Sequence, residues 1–204
     1  MLSPYPDQIE TIQGFASIKI KEKDSISRSK FSFVFSLPSR ARIEAFDFLG
    51  RTIYQIIIKE KKAFLLVPSK KIYWQSTEEE IIDKFIGSKL SLSEAASFLS
   101  GQWDYLKEKE EGKNRDSWSI DRDQEGRVVR GEKPGMSFQV NEYIEGTDLI
   151  RTVSFENRFQ EGQLKILSIE YNDPVKEGLF SFSFINSFQR KTWVEIKEVM
   201  SHES

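Results

Sequence analysis

Side chains that catalyse reactions or bind metals are scarce in this sequence. It contains one histidine, His202, close to the carboxyl terminus, and no cysteine. A Ser-His-Asp triad needs a histidine beside the serine, and a zinc site needs cysteine or histidine ligands. Because a single histidine this close to a chain end is typical of a tail residue, we predict neither a nucleophilic triad nor a zinc site.

The carboxylates are numerous, but their spacing singles out no pair. Asp121 and Asp123 are close neighbours on a predicted strand, and residues 78–80 are three consecutive glutamates at a predicted helix start. Such groups are typical of solvated faces, whereas general acid–base chemistry needs a carboxylate placed against the reacting atoms. Residues 131–135 fit a turn and not a phosphate-binding loop. The sequence therefore predicts a protein that is not an enzyme and that uses no metal or cofactor.

Phenylalanine provides the positive signal. Sixteen are present. They occupy every second position at 31–35, with Ser32 and Val34 between them, and alternate with serines at 180–184. This alternation is typical of antiparallel strands with one apolar and one wet face. One interpretation is the core of a β-sandwich. The other, which we favour, is a curved sheet whose inner face lines a partly filled cavity for a lipid or acyl chain, where each buried methylene contributes about 0.8 kcal/mol.

Ten residues are predicted to line this cavity or its lid. They share an apolar side chain on the face of the pattern that we assign to the interior: Phe31, Phe33, Phe35, Ile56, Ile82, Phe85, Leu99, Phe180, Phe182 and Phe184. The choice of inner face is an assumption, because alternation alone does not distinguish the two sides of a strand.

A second apolar feature lies between two predicted strands. Residues 46–51 read Phe-Asp-Phe-Leu-Gly-Arg, so Phe48 and Leu49 occupy a turn, where polar residues are usual. Either one of these side chains folds back into the core, or both protrude as an apolar finger that touches a membrane or acyl chains. We predict Phe48 and Leu49 to be the membrane-insertion loop.

The period-two pattern also predicts the elements that hold these residues. Six strands precede a helical region: 15–21, 31–37, 40–47, 51–58, 62–67 and 70–75. A charged run at 104–116 is expected to be a solvated loop. Strand patterns then resume at 117–122, 127–131, 136–144, 148–157, 163–172, 178–186 and 190–199.

Between the two groups of strands the period becomes helical. Residues 77–80 and 91–94 form capping-box patterns, each followed by apolar residues at helical spacing. Gly87 and Gly101 are suited to end the two helices. Helices this short are unstable alone in water, so we expect both to pack on the sheet.

These elements predict a mainly β fold, namely a strongly curved, incompletely closed antiparallel β barrel of about 11–12 strands with a short helical pair as lid. We assign residues 9–200 to a single domain with a helical insertion at about 77–101, after an N-terminal arm at 1–8 and before a tail at 201–204. The net charge of −2 gives no reason to expect nucleic acid as a partner. No apolar run reaches the roughly 20 residues of a transmembrane helix, and the first residues show no signal-peptide pattern, so we expect a soluble protein.

The order of several short pieces resembles LolB, the outer-membrane receptor for lipoproteins, within the LolA/LolB-like superfamily. The resemblance runs from about Ile12 to Trp103. Six short pieces in the same order show it: the strand start at 13–16, the Ser-Arg-Ala-Arg-Ile-Glu run at 39–44, the Phe-Leu-Gly turn at 48–50, the approach to a helix at 73–80, the helix end at 85–87, and 90–92 leading to 98–101. The second half of the chain is compatible only in being continuous β-strand.

This resemblance implies an unclosed barrel with a helical lid over an apolar cavity for acyl chains. It also implies acceptance of lipoproteins from a periplasmic LolA-like carrier and their placement in the outer membrane, on its periplasmic side in the bacterial envelope. In that family an exposed leucine in a protruding hairpin assists insertion, and Leu49 is the matching position. The family commonly has Asn-Pro-Leu-Gly there, whereas residues 47–50 read Asp-Phe-Leu-Gly. The family's lipidated N-terminal cysteine has no counterpart, which fits either a trimmed chain or an untethered relative closer to a carrier.

The predicted function is therefore non-catalytic: the protein binds acyl chains of lipoproteins or lipids in an apolar cavity and transfers them to the outer membrane. Its partners would be an acylated lipoprotein or lipid, a LolA-like carrier and the outer-membrane surface. An alternative is a structural or scaffold protein of the envelope with the same fold and a filled core. A third interpretation, an enzyme acting on a lipid in the same cavity, needs a buried carboxylate facing the ligand, for which the sequence offers no obvious candidate.

Overall fold

A computed structural model describes residues 9–22, 25–86, 90–101, 118–158 and 160–201 of the chain. The predicted N-terminal arm, the charged run at 104–116 and His202 lie outside the described residues. No helix within these ranges is both long enough and apolar enough to cross a membrane.

Strands and helices follow the order expected from the alternation up to β11. The strands before the helical region are β1 (Thr11–Glu22), β2 (Ser25–Ser36), β3 (Arg40–Phe46), β4 (Thr52–Lys59), β5 (Lys62–Val67) and β6 (Ile72–Ser76). The strands after it are β7 (Ser119–Arg122), β8 (Val128–Lys133), β9 (Met136–Tyr143), β10 (Ile150–Asn157), β11 (Glu161–Tyr171) and β12 (Gln189–Arg190). The helices are α1 (Glu78–Ile86), α2 (Leu92–Ser100) and α3 (Trp193–Ser201).

All twelve described strands belong to one sheet, in the order β12-β6-β5-β4-β3-β2-β1-β11-β10-β9-β8-β7. Neighbouring strands are antiparallel except β12 and β6, which are parallel. The short strands β7 and β12 are the edges, and within the described residues they do not pair with each other. The sheet therefore curls without closing, which confirms the predicted mainly β fold and its incompletely closed antiparallel barrel.

Alternate side chains of the strands point to one side of the sheet, the inner face, which carries the main core. Phe33 of β2 lies there, opposite Gly14 of β1 and Ile43 of β3. A methyl group on Gly14 would lie 2.9 Å from the Phe33 ring and 2.1 Å from the Ser168 carbonyl oxygen. A glycine is therefore required where a large ring and a neighbouring strand approach the backbone together.

Three short helices among the described residues cover the inner face. Ile81 of α1 and Ile196 of α3 are fully buried in the main core, and Leu92 of α2 joins them. Helix α2 begins with both hydrogen bonds of a capping box: the Glu94 amide donates to Ser91 Oγ at 3.2 Å, and the Ser91 amide donates to Glu94 Oε2 at 2.7 Å. The two helices predicted from capping boxes are thus present, and α3 is a third one.

The strand predicted at 190–199 is wrong, because most of it forms α3. Val194 and Ile196 alternate with charged residues and so imitate a strand, but Ile196 is fully buried while Val194 is 65% exposed. The sequence also holds an unrecognised capping box. The Thr192 amide donates to Glu195 Oε2 at 2.8 Å, and the Glu195 amide donates to Thr192 Oγ1 at 3.4 Å.

The strand predicted at 178–186 is also wrong. Gly178, with φ +78°, lies in an irregular stretch, and a 3-10 turn follows at Ser183–Asn186. We call residues 173–188 the outer strap, because they cross from the end of β11 to β12 on the side of the sheet opposite the helices. Arg42, on the outer face of β3, attaches the strap by donating from Nη1 to the Leu179 carbonyl at 2.9 Å.

Candidate functional site

Six of the predicted cavity residues lie in one buried core. They belong to the inner face of β2 and β4 or to the helices that cover it: Phe31, Phe33, Phe35, Ile56, Ile82 and Leu99. The rings of Phe31, Phe33 and Phe35 follow one another along β2, with successive centroids 6.3 and 5.9 Å apart. Phe85 lies in α1, but its side chain is outside the described residues. That these residues bind a ligand stays a prediction.

The inner face is closely packed in this structure. Phe33 and Phe35 are 1% and 3% exposed. Clefts of about 510, 750 and 1130 Å³ open elsewhere on the described surface, and none of the ten predicted residues lines them. Burial raises the pKa of Tyr54, on the inner face of β4, to about 12, so its hydroxyl stays protonated. An acyl chain that reached this face would have to displace side chains of the helices.

The prediction was wrong for three of the ten residues. The structure places Phe180, Phe182 and Phe184 away from the inner face. They belong to the outer strap. Phe180 is buried beneath Arg40, whose guanidinium carbon lies 5.3 Å from the ring centroid, and Arg40 is an outer-face residue of β3. The alternation with serine was real, but a strap lying flat on a sheet also buries every second side chain.

Phe64 is the centre of the second, outer aromatic cluster. Its ring centroid lies 4.5 Å from that of Phe182, 5.5 Å from that of Phe184 and 6.0 Å from that of Tyr73. β5 is therefore buried on both faces, with Leu65 pointing to the helices and Phe64 to the strap. The sequence does carry a signal for this, since a short continuous apolar run indicates a strand covered on both sides.

A charged group in the interior was missed by the sequence argument. The Glu94 carboxylate on α2 accepts from Trp118 Nε1 at 2.8 Å and from Lys133 Nζ at 3.0 Å, in addition to its capping bond with Ser91. The Lys133 side chain is only 6% exposed, and its ammonium lies 4.9 Å from the Trp118 ring centroid. Burial alone would raise the pKa of Glu94, but the Ser91 amide and Lys133 lower it below its ordinary value. The Glu94 carboxylate is therefore ionised, and its ion pair with Lys133 holds α2 against β8.

Aromatic rings surround this pair on the inner face of β7–β9. Phe98 of α2, Trp118 and Phe138 of β9 form a triangle with centroids 4.7 to 5.4 Å apart and edge-to-face geometry. Such contacts contribute beyond the area that they bury. The capping-box pattern identified Glu94 as a helix cap, but no local pattern in the sequence links it to Lys133.

The turn between β3 and β4 presents two apolar side chains to solvent. Phe48 is 93% exposed and Leu49 is 64% exposed. Asp47 holds the turn: its Oδ1 accepts from the Leu49 and Arg51 amides, both at 2.9 Å, and its Oδ2 accepts from Arg51 Nε at 2.6 Å. Gly50 has φ +79°, which completes a tight hairpin. Neither Phe48 nor Leu49 is folded back into the core.

The turn between β7 and β8 repeats this construction with a polar tip. Asp123 Oδ1 accepts from the Glu125 and Arg127 amides at 3.0 and 2.9 Å, its Oδ2 accepts from Arg127 Nε at 2.9 Å, and Gly126 has φ +84°. The tip positions are Gln124 and Glu125. The Asp-x-x-Gly-Arg turn is therefore fully formed without apolar residues, so the geometry of the hairpin does not require Phe48 and Leu49.

Both turn carboxylates stay ionised. Hydrogen bonds from the Arg51 amide and guanidinium lower the pKa of Asp47 below its ordinary value. Burial raises the pKa of Asp123, but the Arg127 amide and guanidinium outweigh this effect, so the pKa of Asp123 is lowered too. The two turns thus share an ionised aspartate that accepts the same three hydrogen bonds.

No protein-family model matches this sequence, and no curated protein matches it either. Solved structures do share its fold. A LolA superfamily protein from Nitrosomonas europaea is 9% identical with a TM-score of 0.57, over 88% of this chain and 94% of that one. A domain described as an outer membrane lipoprotein-sorting protein, from Vibrio parahaemolyticus, is 9% identical with a TM-score of 0.55, over 86% and 91% of the two chains.

A DUF1329 family protein from Desulfovibrio piger is also similar, at 10% identity and a TM-score of 0.55, over 87% of this chain and 92% of that one. Identities this low show the fold alone. The chain has a LolA-like open-barrel fold, as the resemblance implied, but these likenesses do not single out the LolB branch.

Proposed function

We propose that this protein is a non-catalytic, LolB-like acceptor that binds acyl chains of lipoproteins or lipids between the inner face and its helices, and transfers them to the outer membrane. The bacterial envelope, on the periplasmic side of the outer membrane, is the compartment in which this activity belongs. A periplasmic LolA-like carrier is the partner from which the cargo comes. The LolA-like fold supports this general class of function.

The main support for this proposal is the exposure of two apolar side chains at the tip of the β3–β4 hairpin. Two large apolar side chains are exposed at Phe48 and Leu49, where the matched turn of the same protein has Gln124 and Glu125. Exposing such side chains to water is unfavourable, and the turn does not need them. An apolar bilayer or acyl chain is the environment in which they become favourable.

The inner face supplies the place for the cargo. Each of the three described helices has only nine residues, so a helix can separate from the sheet more readily than a strand can. The apolar face beneath then offers Phe31, Phe33 and Phe35 to a chain. About 12 methylenes transferred from water would contribute on the order of 10 kcal/mol before the cost of displacing the helix is subtracted.

The test uses a fluorescent triacylated lipopeptide and phospholipid vesicles. The wild-type protein is expected to form a complex with the lipopeptide on gel filtration and to deliver it to vesicles. The variant Phe48→Gln/Leu49→Glu copies the polar tip of the other hairpin, so it is expected to fold and bind equally well but deliver more slowly. Gln124→Ala/Glu125→Ala is the matched control and should deliver at the wild-type rate. Absence of any complex, or equal delivery by wild type and tip variant, would overturn the proposal.

A structural protein of the envelope with a filled core is the second candidate, and the packing favours it directly. Phe33, Ile81 and Ile196 are almost completely buried by other side chains of the protein. Native mass spectrometry separates the two candidates. Acceptor function predicts co-purifying lipid or a lipopeptide adduct, whereas a filled core predicts the bare chain mass with and without lipopeptide.

A further inference from the structure

We infer that the outer face of the β1–β2 hairpin is a docking surface for the phosphate headgroups of an anionic phospholipid bilayer. This inference rests on the proposed function, because it specifies the chemistry of the membrane that the hairpin tip approaches. It concerns different residues, however, and a different face of the sheet.

Strand register places five basic side chains together on this face. Three successive rows run across β11, β1 and β2. The first is Lys165–Ser17–Lys30, the second is Gln163–Lys19–Arg28, and the third is Glu161–Lys21–Ile26. All of these residues alternate with inner-face residues such as Ile18 and Phe31, so they point outward. We call Lys19, Lys21, Arg28, Lys30 and Lys165 the basic face.

The charge of the basic face is not balanced locally. Five cations and the one carboxylate of these rows, Glu161, leave +4, and Glu156, opposite Glu161 on β10, lowers the local charge to +3, whereas the whole chain carries −2. Lys21 pairs with Glu161 at 3.4 Å. The other four cations form no ion pair with a described residue. Lys19 and Arg28 also lie directly opposite each other, and like charges in that relation destabilise a sheet.

The basic face and the apolar tip lie at the same end of the sheet. Lys30 pairs with Phe46, the last residue of β3, and the turn with Phe48 and Leu49 follows at once. β2 extends past this point by five further residues, to Ser25. Ile26, 58% exposed, adds an apolar side chain beside the cations. Exposed apolar side chains bordered by lysine and arginine are typical of surfaces that bind membrane interfaces.

Anionic phospholipid is the occupant that fits this charge. Each lysine or arginine close to an anionic bilayer strengthens binding roughly five-fold, and the gain is lost when salt screens it. Lys19 and Lys21 also border the cleft of about 510 Å³, whose wall includes Gln139, Ser154 and Gln163 besides Glu161 and Glu156. Amide and hydroxyl groups there are suited to hydrogen-bond a headgroup.

A second basic row provides a matched control. Arg40, Lys59 and Lys62 lie opposite one another at the other end of the sheet. There Lys59 lies 3.9 Å from Glu60, and Arg40 lies over Phe180. The described turns at that end, 37–39 and 60–61, carry no exposed large apolar side chain. If the basic face were only a solvated charged surface, removing charge from it or from the second basic row would change vesicle binding equally. If the basic face docks on the membrane, only the loss of its own charges weakens vesicle binding.

Vesicle sedimentation of the full chain tests the inference. Vesicles of phosphatidylcholine alone are compared with vesicles that contain about 30 mol % phosphatidylglycerol, at about 0.05 M and 0.5 M NaCl. Wild type is expected to prefer the anionic vesicles at low salt. Lys19→Gln/Arg28→Gln is expected to lose roughly 25-fold in partition coefficient, because two charges are removed. Lys59→Gln/Lys62→Gln removes the same charge from two directly opposite residues of the second basic row and should bind like wild type.

Three outcomes would overturn the inference: equal binding of wild type to both kinds of vesicle, no binding to either, or equal losses in the two charge variants. Circular dichroism of each variant verifies folding, and Lys30→Gln/Lys165→Gln repeats the test in another row of the basic face if the first pair disturbs the hairpin. Failure of the proposed function is recognised separately, as absence of lipopeptide binding in a protein that still selects anionic vesicles. Failure of this inference alone leaves lipopeptide binding and delivery intact but without headgroup selectivity.

Discussion

The buried pair of Glu94 and Lys133 determines how firmly α2 is held on the sheet, and we expect a double-mutant cycle to show strong coupling between them. The variants are Glu94→Gln, Lys133→Met and their combination. Glutamine keeps the shape of Glu94 but has a single acceptor oxygen. In Glu94, Oε1 accepts from Trp118 and Lys133 and Oε2 accepts from the Ser91 amide, so the first variant removes the charge opposite Lys133 together with one of these two acceptors.

The magnitudes follow from burial and partners. Glu94→Gln leaves the ammonium of Lys133, with a side chain only 6% exposed, without its counter-charge. Removing one member of a buried pair costs about 3–5 kcal/mol, and because Trp118 still faces the ammonium we expect about 3 kcal/mol. Lys133→Met leaves the carboxylate with two donors and should cost about 1–2 kcal/mol. The double variant should cost about 2–3 kcal/mol, which corresponds to a coupling of roughly 2 kcal/mol.

Urea denaturation of the four proteins, followed by far-ultraviolet circular dichroism, measures these free energies. The pH dependence provides a second readout. Because the pKa of Glu94 is lowered in the folded state, its contribution is complete above its ordinary pKa of 4.5 and is lost as the pH falls through the lower folded value. Wild type should therefore lose more stability than Glu94→Gln on acidification. Additive costs of the two single variants, together with parallel pH profiles, would refute this account of how α2 is held.

Three further changes probe other parts of the fold. Gly14→Ala should lower the free energy of unfolding by more than about 2 kcal/mol in urea titrations, because the new methyl group would lie 2.1 Å from the Ser168 carbonyl oxygen. A change below about 0.5 kcal/mol would show that β11 can move away from the new methyl group. Phe64→Ala should cost about 3–5 kcal/mol and expose the outer strap to limited proteolysis, and an unchanged cleavage pattern would count against the strap contact. The Thr192 amide and the other groups at the start of α3 lower the pKa of Glu195 to about 2, and an NMR titration should measure this value. The contribution of Glu195 to stability is present above its ordinary pKa of 4.5 and is lost towards pH 2. A measured pKa near 4.5 would contradict the cap.

Local patterns succeeded where one period dominated. The alternation in β1–β6 predicted the strands on which Phe31, Phe33 and Phe35 share a face, since a strand repeats every two residues. The capping boxes before α1 and α2 marked two helix starts, because a side chain that accepts from the first amides satisfies groups that no other part of the helix can reach.

Local patterns failed where two periods were present together. Residues 190–199 satisfy both a strand and a helix, and only the burial of Ile196 with exposure of Val194 distinguishes them. The outer strap has the period of a strand but no neighbouring strand to pair with over 178–186. Phe182, Phe184 and Phe188 are half-buried because β4–β6 carry a second apolar row, and that row is recognisable only when both faces of β5 are considered.

The sequence by itself determined the antiparallel strands up to β11, the first two helices, the position of the apolar turn at Phe48 and Leu49, and the scarcity of catalytic side chains. These properties depend on residues within a few positions of one another. The tertiary structure alone decided which face of each strand is inner, where the outer strap lies, that Glu94 meets Lys133, and that the basic face adjoins the apolar tip. Each of these depends on contacts between residues far apart in the chain, and such contacts follow from strand order and packing, which no local pattern contains.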